Sequence, residues 1–406
     1  MNSGNLSAGA GAGVGAGAGL GAGAGAGAGA GTGAGAGWAQ LMLPAINTTV
    51  KSSDKVMWDI FIWIPGRLSL LAVGGGTLFA TLTGVAMGSV AMLGSVLSPE
   101  MEKRGYKKQM SIGPILGSGG LAIMIPPSAM AVVLASIGQF SIGKLLIAII
   151  IPGLTMAILY AVYIIGRCKI QPSIAPSYEV PPTPLTDKIT SFAKYVLPLG
   201  FIIFLVIGLI FIGVASPTEA AAIGALGCFL LAMAYRGLNW GTSKKSIGSA
   251  LAITVMILMI ITGSTAFSQI LAFTEASSRL TELAVNLPVA PILLLMIMQA
   301  VLLVMGMFVD QISMMLVTLP IFMPIVSSLG WNPIWFGAIM CLNIEMAAIS
   351  PPFGVALFVM KGVAPSDTTM GDIYRAVIPF LLINLIVMGI MMAFPEAVLW
   401  LPGLMK

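Results

Sequence analysis

Asp310 stands in the middle of an apolar run, within Gly306-Met307-Phe308-Val309-Asp310-Gln311-Ile312-Ser313. A carboxylate in such a run costs roughly 3 kcal/mol or more on insertion scales, so it marks a functional site unless it only caps a helix or snorkels. Glu345 reads in a similar way, with a structural contact to a neighbouring helix as an equal reading. Glu219 differs: in Ser216-Pro217-Thr218-Glu219 it completes a helix start, with Ser216 as N-cap and Pro217 at the first turn. The chain has no histidine, which excludes a Ser-His dyad and a His-ligated metal, and no second aspartate makes an obvious pair with Asp310. The three cysteines, Cys168, Cys228 and Cys341, are scattered in apolar surroundings and suggest neither a disulfide framework nor a metal cluster. What remains is oxygen chemistry: carboxylates, hydroxyls and exposed backbone groups.

Those groups cluster at interruptions that occur twice. Pro99, Gly105, Tyr106, Pro126 and Pro127 recur 225 positions later as Pro324, Gly330, Trp331, Pro351 and Pro352, an internal repeat. Each copy opens with a glycine-bearing polar break, Thr83-Gly84-Val85-Ala86-Met87-Gly88-Ser89 in the first and Gly306 to Ser313 in the second. Paired Gly/Pro-interrupted segments in two halves point to the midplane binding site of a transporter. A helix that stops there presents carbonyls at one end, which can hold Na⁺, and the next presents amides, which can hold a carboxylate. Gly117-Ser118-Gly119-Gly120 predicts a break that backbone can use to approach an ion, and Pro126-Pro127 predicts a helix restart. Ala347-Ala348-Ile349-Ser350-Pro351-Pro352-Phe353-Gly354 takes the same place in the second copy. Hydroxyls of Thr83, Ser89, Ser118, Ser313 and Ser350 complete a candidate oxygen-only shell for a hard cation. Close packing and kinking are the plain alternative for any one of these glycines and prolines.

The elements that carry the breaks must be membrane helices. The chain is 58% hydrophobic and 8% charged, against about 25% charged in soluble domains, and backbone in lipid has to bond internally. Residues 9 to 37 place glycine at every odd position, mostly with alanine between; this is low-complexity sequence with little to pack. Beyond it, the runs predict a re-entrant hairpin over 68–98, a broken span over 109–137 and a span over 145–165. After a Pro-rich connector come spans over 196–214, 217–235 and 247–273, a second hairpin over 290–327, a broken span over 332–360 and a last span over 376–394. With both hairpins re-entrant, thirteen Lys and Arg between Lys103 and Arg375 fall on one side and only Lys144, Arg279 and Lys406 on the other, as the positive-inside rule requires. The two halves then enter from opposite faces. The net charge of +5 follows from this topology and not from nucleic-acid binding. The domains are 1–57 (low-complexity N-terminus and polar linker), 58–166 (first transport repeat), 167–195 (connector), 196–289 (scaffold helices) and 290–406 (second transport repeat).

Phe79-Ala80-Thr81-Leu82-Thr83-Gly84, Leu97-Ser98-Pro99-Glu100-Met101-Glu102-Lys103-Arg104-Gly105-Tyr106, Ile125-Pro126-Pro127-Ser128, Ala215-Ser216-Pro217-Thr218-Glu219-Ala220-Ala221 and Ser350-Pro351-Pro352-Phe353-Gly354 resemble the large membrane subunit of tripartite ATP-independent periplasmic (TRAP) transporters, the DctM-type permease. The likeness runs from about Trp58 to the C-terminus. It implies an all-α polytopic inverted repeat of the elevator type in a bacterial inner membrane, with Na⁺ as coupling ion. It also implies a small DctQ-type membrane subunit and a periplasmic solute-binding protein as partners, and a small organic acid as substrate. Carried onto this chain, it puts Na⁺ at Thr83, Gly84, Gly88, Ser118, Gly119, Gly120, Gly306, Asp310, Ser313, Ser350 and Pro351, and substrate at Pro126, Pro127, Ser128, Asp310 and Pro352. Two departures stand out: Val85 and Ala86 replace hydroxyl residues at the first tip, and Gly/Ala sequence precedes the first hairpin where the family has scaffold helices. A Na⁺-coupled elevator carrier without a binding protein, and an incomplete non-functional member of the family, are the alternative expectations.

Overall fold

The computed structural model describes residues 66–83, 86–176, 197–235 and 238–405, with positions 186, 189–190 and 193. The low-complexity N-terminus, Gly84 and the side chain of Thr83 lie outside the described residues. In chain order the helices are α1 (Arg67–Thr83), α2 (Ala86–Lys103), α3 (Lys108–Met124), α4 (Ala129–Ile137), α5 (Ile142–Ala148) and α6 (Ile150–Ile170). Then come α7 (Leu197–Phe211), α8 (Pro217–Ala234), α9 (Trp240–Phe273) and α10 (Ala276–Val285). The second half holds α11 (Pro291–Phe308), α12 (Gln311–Ser328), α13 (Pro333–Ile349), α14 (Val355–Val363), α15 (Met370–Ala393) and α16 (Pro395–Gly403). Among the described residues, six helical spans are long and apolar enough to cross a membrane, or seven if the bent pair α3 and α4 makes one span. The protein is a multi-pass α-helical membrane protein.

The repeat seen in the sequence is carried into the helix boundaries. Helices α2 and α12 are both 18 residues long and α3 and α13 both 17, and each pair begins and ends at the same 225-residue offset. The turn after α2 is made by Gly105 at φ 76°, with the amides of Gly105 and Tyr106 donating to the carbonyls of Glu102 and Met101 at 2.9 and 3.0 Å. Its counterpart after α12 is Gly330 at φ 65°, with Gly330 and Trp331 donating to Ser327 and Val326 at 3.1 and 2.9 Å. Both are glycine-terminated helix ends in which a left-handed residue lets the chain fold back over its last carbonyls. The second limb of each broken helix packs on the other half: α14 on α2 and α4 on α12.

Packing is densest around α3 and α13, whose residues are buried almost throughout. Residues 117–120 do not break the chain; α3 runs through them to Met124. Glycine costs about 1 kcal/mol each in a helix interior relative to alanine, but here its missing side chain is filled by neighbours. A Cβ on Gly113 or Gly117 would run into the Phe380 ring on α15, and one on Gly119 into Val90 on α2. Phe380 is in turn held edge-on by Tyr160 and Tyr163 of α6, with ring centroids 5.0 and 5.5 Å away. Across the same bundle the indole N–H of Trp335 donates to the Met391 carbonyl at 2.7 Å.

Helices α7 to α10 are peripheral. They carry exposed Phe204, Leu226, Leu258, Met259 and Phe273, the lipid-facing kind of surface expected where the solvent is itself apolar. The start of α8 is the capping box read from sequence: the Ser216 hydroxyl accepts from the Glu219 amide at 3.3 Å, and the Glu219 carboxylate accepts from the Ser216 amide at 2.8 Å. Helices α10 and α16 are additions to the sequence layout, the span expected over 145–165 runs from Ile142 to Ile170 as α5 and α6, and the span expected over 247–273 begins at Trp240 and reaches 34 residues.

Opposite effects are expected from one change at two glycines. Gly113→Ala pushes a methyl group into Phe380 and the Ala376 carbonyl and should destabilise by about 1–3 kcal/mol. Gly248→Ala, on α9 with open space around it, should stabilise by up to about 1 kcal/mol. Thermal unfolding of the detergent-solubilised protein reads both.

Candidate functional site

Two interruptions meet in the second half. There α11 ends at Phe308 and α12 begins at Gln311, with Asp310 as its N-cap. The Asp310 carboxylate accepts from the Ile312 and Ser313 amides at 3.1 and 3.0 Å, so capping, one of the plain readings of this residue, is realised. Gly306 lies inside α11, one turn before the interruption, where a Cβ would strike Ala347 on the last turn of α13. Phe308 meets Phe353 with ring centroids 5.3 Å apart, and the Gln311 side-chain amide donates to the Ile344 carbonyl at 3.2 Å. These contacts set the Val309-Asp310 interruption against the one at Ser350–Gly354.

The Pro-Pro segments lie between helix limbs. Helix α13 ends at Ile349 and α14 begins at Val355; α3 ends at Met124 and α4 begins at Ala129. Both Pro-Pro peptide bonds are cis. The expectation that Pro126-Pro127 opens the next helix is corrected: both prolines precede the cap, which is Ser128, its hydroxyl accepting from the Ala131 amide at 3.3 Å. A proline has no N–H to donate, so the two of them extend the interruption and leave the capping to a hydroxyl. In the second copy Gly354 takes the cap position, and a Cβ there would run against Ser350 and the Ala348 carbonyl.

The hydroxyls are partly engaged. Ser350 donates to the Met346 carbonyl at 2.7 Å and Ser118 to the Ile115 carbonyl at 3.0 Å; each oxygen keeps lone pairs for a further partner. The Pro352 carbonyl already accepts from the Tyr374 hydroxyl at 2.8 Å. In the first half, Gly88 lies within α2; α1 ends at Thr83 and α2 begins at Ala86. Gly119, inside α3, faces the Ala86 carbonyl at the start of α2. Ser118, Gly119 and Gly120 are therefore helical residues flanking the site rather than an unwound segment.

The sequence-predicted ligand residues thus divide between the halves, and Glu345, marked in the sequence with a structural contact as an equal reading, lies where α3 and α13 cross. Glu345 is fully buried on α13. One carboxylate oxygen accepts from the Asn384 amide at 3.4 Å, and the other has no partner. Asn384 in turn accepts from the Tyr160 hydroxyl at 2.5 Å. Room for the carboxylate is made by Gly120, where any Cβ would overlap it. Beside it, the Asn343 amide donates to the Gln299 carbonyl and side-chain oxygen at 2.7 and 2.9 Å. The available signal was arithmetic, since Gly120 and Glu345 are themselves 225 positions apart; Asn384 and Tyr160 had none. Outside the spans, the Lys108 ammonium bonds Asp367 at 2.7 Å and holds its carboxyl below the ordinary range, tying the start of α3 to the loop before α15.

A family model described as the tripartite ATP-independent periplasmic transporter DctM component matches residues 55–397. The C4-dicarboxylate TRAP transporter large permease protein DctM of Pseudomonas aeruginosa is 32% identical over 343 residues, 84% of this chain and 78% of that one. The ectoine/5-hydroxyectoine TRAP transporter large permease protein UehC of Ruegeria pomeroyi is 29% identical, again over 84% of this chain and 78% of that one. Among solved structures, MtrF of Neisseria gonorrhoeae, described within a class of antimetabolite efflux pumps, superposes with a TM-score of 0.61 over 92% of this chain and 80% of that one at 14% identity, a likeness of fold.

Because Asp310 caps α12, its substitutions separate geometry from charge. Asp310→Ala should lose about 1 kcal/mol of stability, whereas Asp310→Asn, an equally good cap, should stay within a few tenths. Denaturation of the purified variants side by side distinguishes the two.

Proposed function

The chain belongs to the DctM family of TRAP transporter large permeases, and from that premise we propose that it carries a small organic acid inward across a bacterial inner membrane, driven by Na⁺. In this reading a periplasmic solute-binding protein delivers the substrate and a small DctQ-type subunit completes the membrane assembly. The two repeats, 58–166 and 290–406, form the moving unit, and helices within 196–289 form the scaffold against which it slides. The pairs α1/α2 and α11/α12 enter the membrane from opposite faces as re-entrant hairpins.

The single observation that carries this reading is the recurrence of interruptions in both halves at one offset, with the Val309-Asp310 interruption set against the Ser350–Gly354 segment in the second. Helix ends inside an apolar core present backbone dipoles that favour ions of both signs. We assign one Na⁺ to each pair of breaks. In the first half the ligands come from the Thr83-Gly84 end of α1 and the turn after Met124. In the second they come from the Asp310 region and the Ser350-Pro351 segment, with carbonyl and hydroxyl oxygens supplying a hard-cation shell. The substrate carboxylate then faces Pro126, Pro127, Ser128, Asp310 and Pro352, its charge balanced by the ions. Gly306 serves by letting helices approach, not by ligation.

Sodium and substrate are thermodynamically linked in this scheme, so each raises the affinity for the other by the same factor. In vesicles holding all three components, uptake should follow an imposed Na⁺ gradient; uptake indifferent to the gradient would overturn the assignment. Asp310→Asn keeps the cap and removes the charge, and uptake should fall at least tenfold with the protein still folded. Undiminished uptake would take Asp310 out of the site.

A further inference from the structure

Gly120 and Glu345 occupy equivalent places in the two repeats and touch each other where α3 and α13 cross. When a residue contacts its own symmetry mate, the twofold relating the copies passes between them. Glu345 therefore sits on the local axis of the repeat. From Gly120 to the end of α3 at Met124 is four residues, and from Glu345 to the end of α13 at Ile349 is also four, about 6 Å along each helix. One carboxylate is thus placed nearly equally with respect to both interruptions.

Its surroundings do not explain it as packing. The side chain is fully buried, has one long hydrogen bond, and leaves one oxygen without a partner. A buried carboxyl with so little compensation is costly in an apolar interior, and a glutamine would fill the same space. The Tyr160-Asn384 hydrogen bond holds the amide that steadies it, so the position of the carboxylate is prescribed from α6 and α15 as well as from α3.

We propose that Glu345 is a shared anionic anchor, one charge on the axis between two helix ends that strengthens the binding of a cation at each and couples the two. This rests on the sodium reading of the breaks given above. Coulomb attraction at an effective dielectric of about 20 and a separation of roughly 10 Å corresponds to about tenfold in affinity per cation. Because the same carboxylate is steadied by the first ion to arrive, the second meets an already ordered crossing.

The test is sodium titration of substrate uptake in reconstituted vesicles for the unsubstituted protein, Glu345→Gln and Tyr160→Phe. The unsubstituted protein should show a Hill coefficient between about one and two. Glu345→Gln should raise the half-saturating sodium concentration about tenfold and bring the Hill coefficient to about one, with substrate KM at saturating sodium unchanged. Tyr160→Phe keeps the carboxylate but frees Asn384, and should weaken sodium binding by a smaller factor. A Glu345→Gln protein whose sodium curve matches the unsubstituted one, with only yield or Tm altered, reduces Glu345 to a structural residue and overturns the proposal. If Glu345→Gln does not fold, Tyr160→Phe decides, and an unaltered sodium curve in it is equally fatal. A sodium-independent unsubstituted protein removes the cation reading and this inference together, an outcome distinct from failure of the variants alone.

Discussion

A helix that ends inside an apolar interior leaves carbonyls without donors at one end and amides without acceptors at the other. Water is not there to take them, and each such group left alone costs on the order of 1–3 kcal/mol. The structure depends on how that constraint is met. Some groups are closed locally: Asp310 takes the first amides of α12, Ser128 caps α4, and Ser350 donates back into the last turn of α13. The remaining polarity of an otherwise apolar bundle lies at the two Pro-Pro turns, where we propose that ions bind.

Bringing the interruptions together requires helices to cross closer than ordinary side chains allow. The glycines of α3 supply this. Gly113 and Gly117 admit Phe380, Gly119 admits Val90, and Gly120 admits the Glu345 carboxylate. Each lowers the intrinsic helicity of α3, yet burial on all sides holds the helix intact. The same crossing brings the halves into register, because the second limb of each broken helix leans on the opposite half. Packing and the repeat are consequently one arrangement, since the same glycines of α3 serve both.

Relatives sharing about 30% of their residues with this chain are described as permeases for C4-dicarboxylate and for ectoine. Among the described residues of this chain, no His, Cys, Asp and Glu side chains gather into a metal-like cluster.

Much was legible in the chain itself. Composition determined a polytopic α-helical membrane protein, since so few charges cannot clothe a soluble surface, and the 225-residue recurrence located both Pro-Pro turns and both glycine turns at Gly105 and Gly330. Ser216 and Glu219 could be read as a helix start because a cap is a local interaction within three residues. The fate of Gly117 to Gly120 could not, because whether a glycine run breaks or packs is decided by Phe380, Val90 and Glu345, residues that approach from elsewhere in the chain. For the same reason Asp310 could be singled out from sequence while its capping geometry had to be observed. Gly120 and Glu345 share the 225-residue offset, but only the tertiary structure brought them into contact and placed Asn384 and Tyr160 behind them, because burial and contact between distant residues arise from how helices cross.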